Sequence, residues 1–286
     1  MSVFSMPVSS TPLSSTPVSS VPPLVGRIAL ITGVSRRIGI AATIARQLLI
    51  DGASVFATGW HAHDGEQSWG ADPGGAQTTI DFVTSDLEIH AIDVASRFHY
   101  VESDLAEPDV PDGLVKATIE RFGTIDIVIA CHARSSRQSL RELTVDELDA
   151  SWAVNARGTI LLAKALQEHR CAPRTGGRLI TFSSGQHLGP MPNELPYIVS
   201  KGAIQQMTAS LSDALIDEGI TVNCINPGPV DTGYAPPDVH AVVTEKFPAK
   251  RWGQPSDVAN LVTFLVSDAG AWITGQTINS EGGWRR

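Results

Sequence analysis

Cysteine is scarce in this chain of 286 residues: Cys131, Cys171 and Cys224 stand far apart and form no metal-type or redox-type pair. They read as reduced, mostly buried thiols, the usage of a cytoplasmic protein. Long hydrophobic runs are missing as well, and none reaches the length of a membrane span. Positive charge is in deficit, with 21 Lys and Arg against 30 Asp and Glu and a net charge of −9. That balance argues against nucleic acid or an anionic membrane as the main partner. No charged side chain precedes Arg27. A secretory signal would need a basic start and an apolar core, and a mitochondrial-type transit peptide would be rich in Arg. Neither pattern is present.

The chain opens instead on a repeat. Pro-Val-Ser-Ser-Thr, Pro-Leu-Ser-Ser-Thr and Pro-Val-Ser-Ser-Val follow one another from Pro7 at a period of five. Such a composition buries too little apolar area to offset chain entropy. Residues 1–24 are therefore expected to be a disordered, partly extended tail. The remainder, in a chain that is 42% hydrophobic, has the length for one large α/β domain or two small ones.

From Arg27 the texture changes. Residues 27–32, Arg-Ile-Ala-Leu-Ile-Thr, have the apolar, β-branched pattern of a buried parallel strand. A turn follows, Gly33-Val-Ser-Arg-Arg-Ile-Gly39. Residues 40–49 then show helical periodicity, Asp51-Gly52 closes the helix, and residues 53–58 read as a second strand. This is a βαβ unit, and its first turn is where a dinucleotide pyrophosphate sits. Gly33 permits a tight turn, and Gly39 lets the helix start, with its partial positive charge, lie close to phosphates. Residues 61–79 form an unusually long Gly- and Asp-rich connection. Helices are expected over 80–91, 114–122 and 148–166, and strands over 97–101, 125–130, 178–183 and 220–225. Ser184 follows the strand over 178–183, at the sheet edge where open α/β folds bind ligands.

Tyr197 and Lys201 lie four residues apart, thirteen residues after Ser184. On a helix that spacing puts both on one face. A free phenol has a pKa near 10, too high for proton transfer at neutral pH, and a fixed cation lowers it. A shift of about three units needs about 4 kcal/mol, within reach of one close ammonium helped by a second positive charge. Taken alone, so short and common a pair reads first as an ordinary exposed helix face.

The motifs together resemble the short-chain dehydrogenase/reductase family. Thr32-Gly33-x-x-x-Arg37-x-Gly39 is similar to its cofactor loop, except that Arg37 replaces the middle glycine. Asp104-Leu105 is similar to its adenine-contacting pair, and Pro227-Gly228-Pro229-Val230-Asp231-Thr232 to the segment that meets the nicotinamide amide. Ala130-Cys131-His132-Ala133 departs from the family's Asn-Asn-Ala-Gly, and His132 reads as a hydrogen-bonded structural residue. The resemblance spans residues 25–284 and implies a single dinucleotide-binding catalytic domain over 25–286. The implied fold is α/β and Rossmann-type, a doubly wound parallel sheet of about seven strands with helices on both faces. It implies Ser184, Tyr197, Lys201 and Asn155 as catalytic residues. It implies Gly33, Ser35, Arg36, Ile38, Gly39, Asp104, Leu105, Tyr197, Lys201, Pro227, Gly228, Val230 and Thr232 as cofactor contacts.

The implied reaction is hydride transfer between a nicotinamide and a carbonyl or secondary alcohol. Ser184 polarises the oxygen, Tyr197 transfers the proton, Lys201 lowers the Tyr197 pKa and holds the ribose, and Asn155 completes a proton relay. Arg36, whose guanidinium suits a phosphate, points to NADP(H) over NAD(H), and no acid closes the second strand at Thr58-Gly59-Trp60-His61. Asp64 is expected to lie too far along to serve. Residues 233–250 resemble a mobile substrate loop. The pattern of residues 251–284 resembles 3-oxoacyl-carrier-protein reductases and implies a homo-oligomer, a tetramer in relatives. An acyl-thioester substrate on an acidic carrier would favour a basic patch, for which Arg134, Arg137 and Arg141 are candidates. A reductase of a small ketone, sugar or secondary metabolite is the alternative, and a non-catalytic NADPH-binding regulator the alternative of another class.

Overall fold

Seven short apolar strands lie side by side, all parallel, in a computed structural model that describes residues 22–87, 92–170 and 176–286. They are β1 (Ile28–Thr32), β2 (Ser54–Gly59), β3 (Phe98–Glu102), β4 (Ile127–Ala130), β5 (Gly177–Phe182), β6 (Ile220–Asn226) and β7 (Thr277–Asn279). Their order across the sheet is β3-β2-β1-β4-β5-β6-β7. The chain winds outward in one direction to β3 and in the other from β4, so the crevice between β1 and β4 is the switch point where ligands bind.

The connections are helical: α1 (Ile40–Ile50), α2 (His61–Glu66), α3 (Ala76–Thr84), α4 (Val94–Arg97) and α5 (Val110–Phe122) in the first half. The second half carries α6 (Val145–Ser151), α7 (Gly158–His169), α8 (Leu195–Ile216), α9 (Pro237–Lys246) and α10 (Pro255–Val266). Strand alternation divides the interior in two. Ala29, Ile31, Val55, Ile127, Ile129 and Ile180 face a core built with α1, α3 and α10. Leu30, Phe56, Val128, Leu179 and Val222 face a second core built with α5, α7 and α8. Helices therefore cover both faces, as expected for strands that are apolar throughout.

Most strand bounds fall within one or two residues of the expected ones. Leu24 is buried and its amide donates to the Asp51 carbonyl at 2.8 Å, so the ordered chain starts before residue 25. Residues 1–21 of the expected tail, residues 88–91 of the expected helix, and Cys171 lie outside the described residues. The helix expected over 80–91 begins earlier, at Ala76. The long connection after β2 is not all loop, since it folds into α2 and the start of α3. The single helix expected over 148–166 is α6 and α7 joined by a six-residue π-helical turn, Trp152–Arg157. π turns have no simple hydrophobic period and often mark functional sites.

Candidate active site

The carboxyl ends of β4, β5 and β6 open into one cleft of about 1150 Å³. Ser184, the first residue beyond Ser183 at the end of β5, lines it, and so does Tyr197 in the first turn of α8. Pro196 at the start of α8 suits a helix opening, where a missing N–H costs nothing. Burial pushes the Tyr197 phenol up to about 12, with the Ser184 hydroxyl beside it opposing the rise. The expected depression by Lys201 is absent. The Lys201 Nζ lies 5.9 Å from the Tyr197 ring centroid and donates to the Phe182 carbonyl at 2.9 Å. Lys201 is only 2% exposed, and desolvation lowers its own pKa to about 8. An ammonium that is itself losing charge to burial is a weak stabiliser of a neighbouring phenolate. Lys201 thus sits behind the cleft wall rather than on it.

Asn155 is fully buried in the π turn and makes three side-chain bonds. Its Oδ1 accepts from the Arg134 amide at 2.7 Å, and its Nδ2 donates to the Arg134 carbonyl at 3.0 Å and to Ser200 Oγ at 2.9 Å. Ser200 Oγ in turn donates to the Tyr197 carbonyl at 2.8 Å. One amide side chain therefore fixes the loop after β4 against α8, one residue from Lys201. A polar residue unfavourable in a plain helix is fully satisfied here.

The unusual Cys131-His132 pair is also structural. Thr32 Oγ1 and His132 Nδ1 are 2.6 Å apart, and His132 Nε2 meets the Val154 carbonyl at 3.0 Å. The carbonyl requires an N–H at Nε2, so Nδ1 accepts from Thr32. Burial, with nearby Lys201, drops the His132 pKa to about 3, and burial raises Cys131 to about 12. A neutral imidazole thus bridges β1 to the π turn where an amide was expected.

At the other end of the cleft, the phosphate-type loop has the anticipated form. Gly33 has φ +83°, and a Cβ there would lie 2.8 Å from the His132 backbone. Gly39 precedes α1, whose first turn carries no acid and, among the described residues, receives no side-chain cap. Its free amides and dipole suit an anion. Gly33, Ser35, Arg36, Gly39, Asp104, Leu105, Pro227, Gly228, Val230 and Thr232 all line the cleft. Ile38 does not, being turned against Gly233. Arg37, in place of the middle glycine, points outward. Its amide donates to Asp72 Oδ2 at 2.5 Å and its Nε lies 3.7 Å from Asp72 Oδ1. Arg36 faces the cleft, and its Nε is buried with no acceptor among the described residues. An orphaned guanidinium nitrogen beside an uncapped helix start fits the phosphates of a dinucleotide.

Sequence reasoning missed several lining residues. Asp64, expected to lie too far along, is brought to the cleft by α2. His61 turns inward to bond Glu102 at 2.8 Å. Trp69, Tyr234, Trp252 and Trp284 supply aromatic walls, and Arg286 lies along Gly185 and Gly189 while paired with Glu281. The only available signal was an aromatic residue inside an otherwise polar connection. Of the three arginines considered for a basic patch, Arg134 is engaged by Glu147 through two 2.8 Å bonds.

A doubly wound sheet whose strand-end cleft joins a glycine-bearing turn and an uncapped helix start to Ser184 and Tyr197 has the architecture of a nicotinamide-dependent oxidoreductase. The chain belongs to the short-chain dehydrogenase/reductase family. The family model described as Enoyl-(Acyl carrier protein) reductase matches residues 70–285. An uncharacterized oxidoreductase, YjdA, of Bacillus subtilis is 34% identical over 91% of this chain and 97% of its own. Versicolorin reductase stcU of Emericella nidulans is 31% identical, covering 91% of this chain and 96% of its own. A solved short chain dehydrogenase from Burkholderia cenocepacia, in complex with NADP, superimposes with a TM-score of 0.77 at 30% identity. That match covers 91% of this chain and 98% of the other.

Proposed function

We propose that this oxidoreductase is an NADP(H)-dependent carbonyl reductase. The observation that carries the reading is that the Ser184 and Tyr197 hydroxyls are neighbours on the cleft wall. Two neighbouring hydroxyls can both donate to one substrate oxygen on which charge develops. The bound nicotinamide supplies the hydride when the carbonyl is reduced. Tyr197, held protonated by burial, gives its proton to the substrate oxygen as general acid. Ser184 donates a hydrogen bond to the same oxygen. Lys201 adds positive charge behind Tyr197 while it remains protonated, and Asn155 positions α8 against the loop after β4. Gly33, Ser35, Gly39 and the start of α1 hold the pyrophosphate, Arg36 the 2′-phosphate, Asp104 and Leu105 the adenine, and Pro227 to Thr232 the carboxamide.

The substrate end favours a ketone with an apolar or aromatic body. Met191, Tyr234, Val239, Val243 and Trp284 supply its walls. The versicolorin reductase relative supports a secondary-metabolite ketone, while the carrier-protein model supports an acyl thioester as the second reading. Exposed apolar side chains on α8 and beyond α10, Val199 and Trp272 (99% exposed), favour a homo-oligomer, with a tetramer as the expected form. Among the described residues no helix is long and apolar enough to cross a membrane. The sparse, widely spaced cysteines support a cytoplasmic enzyme.

The test follows NADPH absorbance with acetoacetyl thioesters and a panel of aliphatic and polycyclic aromatic ketones. Turnover of at least one class is expected. Tight NADPH binding without turnover of any would replace this reading by a non-catalytic NADPH-binding regulator.

A further inference from the structure

The segment from the end of β2 through α3 plays no part in proton chemistry, yet it is fastened to the phosphate-type loop at three points. Asp72 holds Arg37, Thr79 Oγ1 donates to the Ser35 carbonyl at 3.2 Å, and the Trp69 ring lies 5.9 Å from the Arg36 Cζ. Trp69 is further held edge-on by Tyr234, with ring centroids 6.4 Å apart. Both Arg36 Nε and Trp69 Nε1 are buried donors with no acceptor among the described residues, and both side chains line the same cleft. Buried polar groups in native proteins are nearly always partnered. Two neighbouring orphaned donors call for a ligand group rich in acceptors, and a phosphate has three acceptor oxygens. Asp64 Oδ2, of another residue lining the cleft, is a buried acceptor equally without a donor among the described residues, and a ribose hydroxyl would satisfy it.

We propose that Trp69 is a second determinant of cofactor choice, fixing the Arg36 guanidinium and adding its own N–H at the 2′-phosphate. This rests on the NADP(H) reading of the same cleft. A guanidinium over an indole is more confined than one in water, and a confined fork loses less freedom on meeting a phosphate. The ring supplies the confinement and Nε1 the extra donor, so the two contributions separate by substitution.

Calorimetric titration with adenosine 2′,5′-bisphosphate and with adenosine 5′-phosphate reads the adenosine end alone, without turnover. Trp69→Ala is expected to weaken the bisphosphate about tenfold and the monophosphate less than about twofold. Trp69→Phe, which keeps the ring and removes the N–H, is expected to fall between wild type and Trp69→Ala for the bisphosphate only. Equal weakening of both nucleotides, or no weakening of the bisphosphate in either variant, overturns the role of Trp69. Wild-type protein that binds the two nucleotides equally overturns instead the NADP(H) reading beneath it. The unfolding midpoint of Trp69→Phe, unchanged from wild type, shows that a loss of binding is not a loss of fold.

Discussion

The two ends of the cleft are made of different material. Ser184, Tyr197, Lys201 and Asn155 hang from the end of β5, α8 and the π turn; Lys201 and Asn155 are buried and bonded to backbone, and Ser184 and Tyr197 stand half-buried in front of them. Arg36, Asp64 and Trp69 stand on a turn and on the connection after β2, held by a surface ion pair, a ring contact and one hydroxyl. Proton transfer needs atoms held to fractions of an ångström, which packed elements provide. Recognition of an adenosine phosphate tolerates loops, because charge and donors act over longer range. The first end is consequently intolerant of substitution and the second adjustable.

The sharpest test of that contrast is Tyr197→Phe. Turnover is expected to fall about a thousandfold while NADPH affinity, measured by calorimetry, changes less than about twofold. Residual activity near wild type would remove the chemistry from this end altogether.

His132→Asn probes the support beneath it. The His132 pKa is 6.5 in the unfolded chain and about 3 when folded. Between those values the unfolded state binds the extra proton, so stability falls as pH drops from 6.5 toward 3, by up to about 5 kcal/mol. Urea unfolding of His132→Asn from pH 7 to pH 4 is expected to show a flatter profile than wild type. An identical slope would move the acid sensitivity elsewhere.

Lys201 gives the third comparison. Its ammonium is lost as pH rises through about 8, while Tyr197 keeps its proton to about 12. The kcat/KM for carbonyl reduction should therefore decline severalfold above pH 8, well below the range in which a free phenol titrates. The same group makes stability rise with pH between about 8 and 10.5, because there only the unfolded chain holds the proton. A flat activity profile to pH 10 would show that Lys201 keeps its charge once cofactor is bound.

The smallest effect is expected at the adjustable end. Arg37→Gly restores the family's glycine and removes a long ion pair whose Arg37 half is exposed, while the backbone amide that holds Asp72 is kept. Stability should change by less than about 1 kcal/mol and NADPH affinity by less than about threefold, since a solvent-screened guanidinium contributes little.

What the sequence made legible follows the same division. Strand runs such as Ile28–Thr32 and the four-residue step from Tyr197 to Lys201 are local patterns, and local geometry reproduces them. The π turn left no periodic trace, and Asn155 alone marked it. The burial of Lys201, and with it the reversed direction of the Tyr197 shift, depends on how β5 and α8 close over the side chain. Trp69 and Asp64 reach the cleft only because the connection folds back as α2, a tertiary event that a Gly- and Asp-rich segment does not announce.

The π turn also sets a phase between two helices. Each residue of an α-helix advances the side chains by about 100°, so one extra residue in a turn rotates everything upstream by that amount relative to everything downstream. Glu147, which grips Arg134 from α6, and Leu162 and Leu166, which fill the core from α7, point correctly at once only because that offset lies between them. Removing a single residue from Trp152–Arg157 would leave a longer and more regular helix. It would also swing either the loop after β4 or the core stripe out of register, so the deletion should damage both faces of the turn at once.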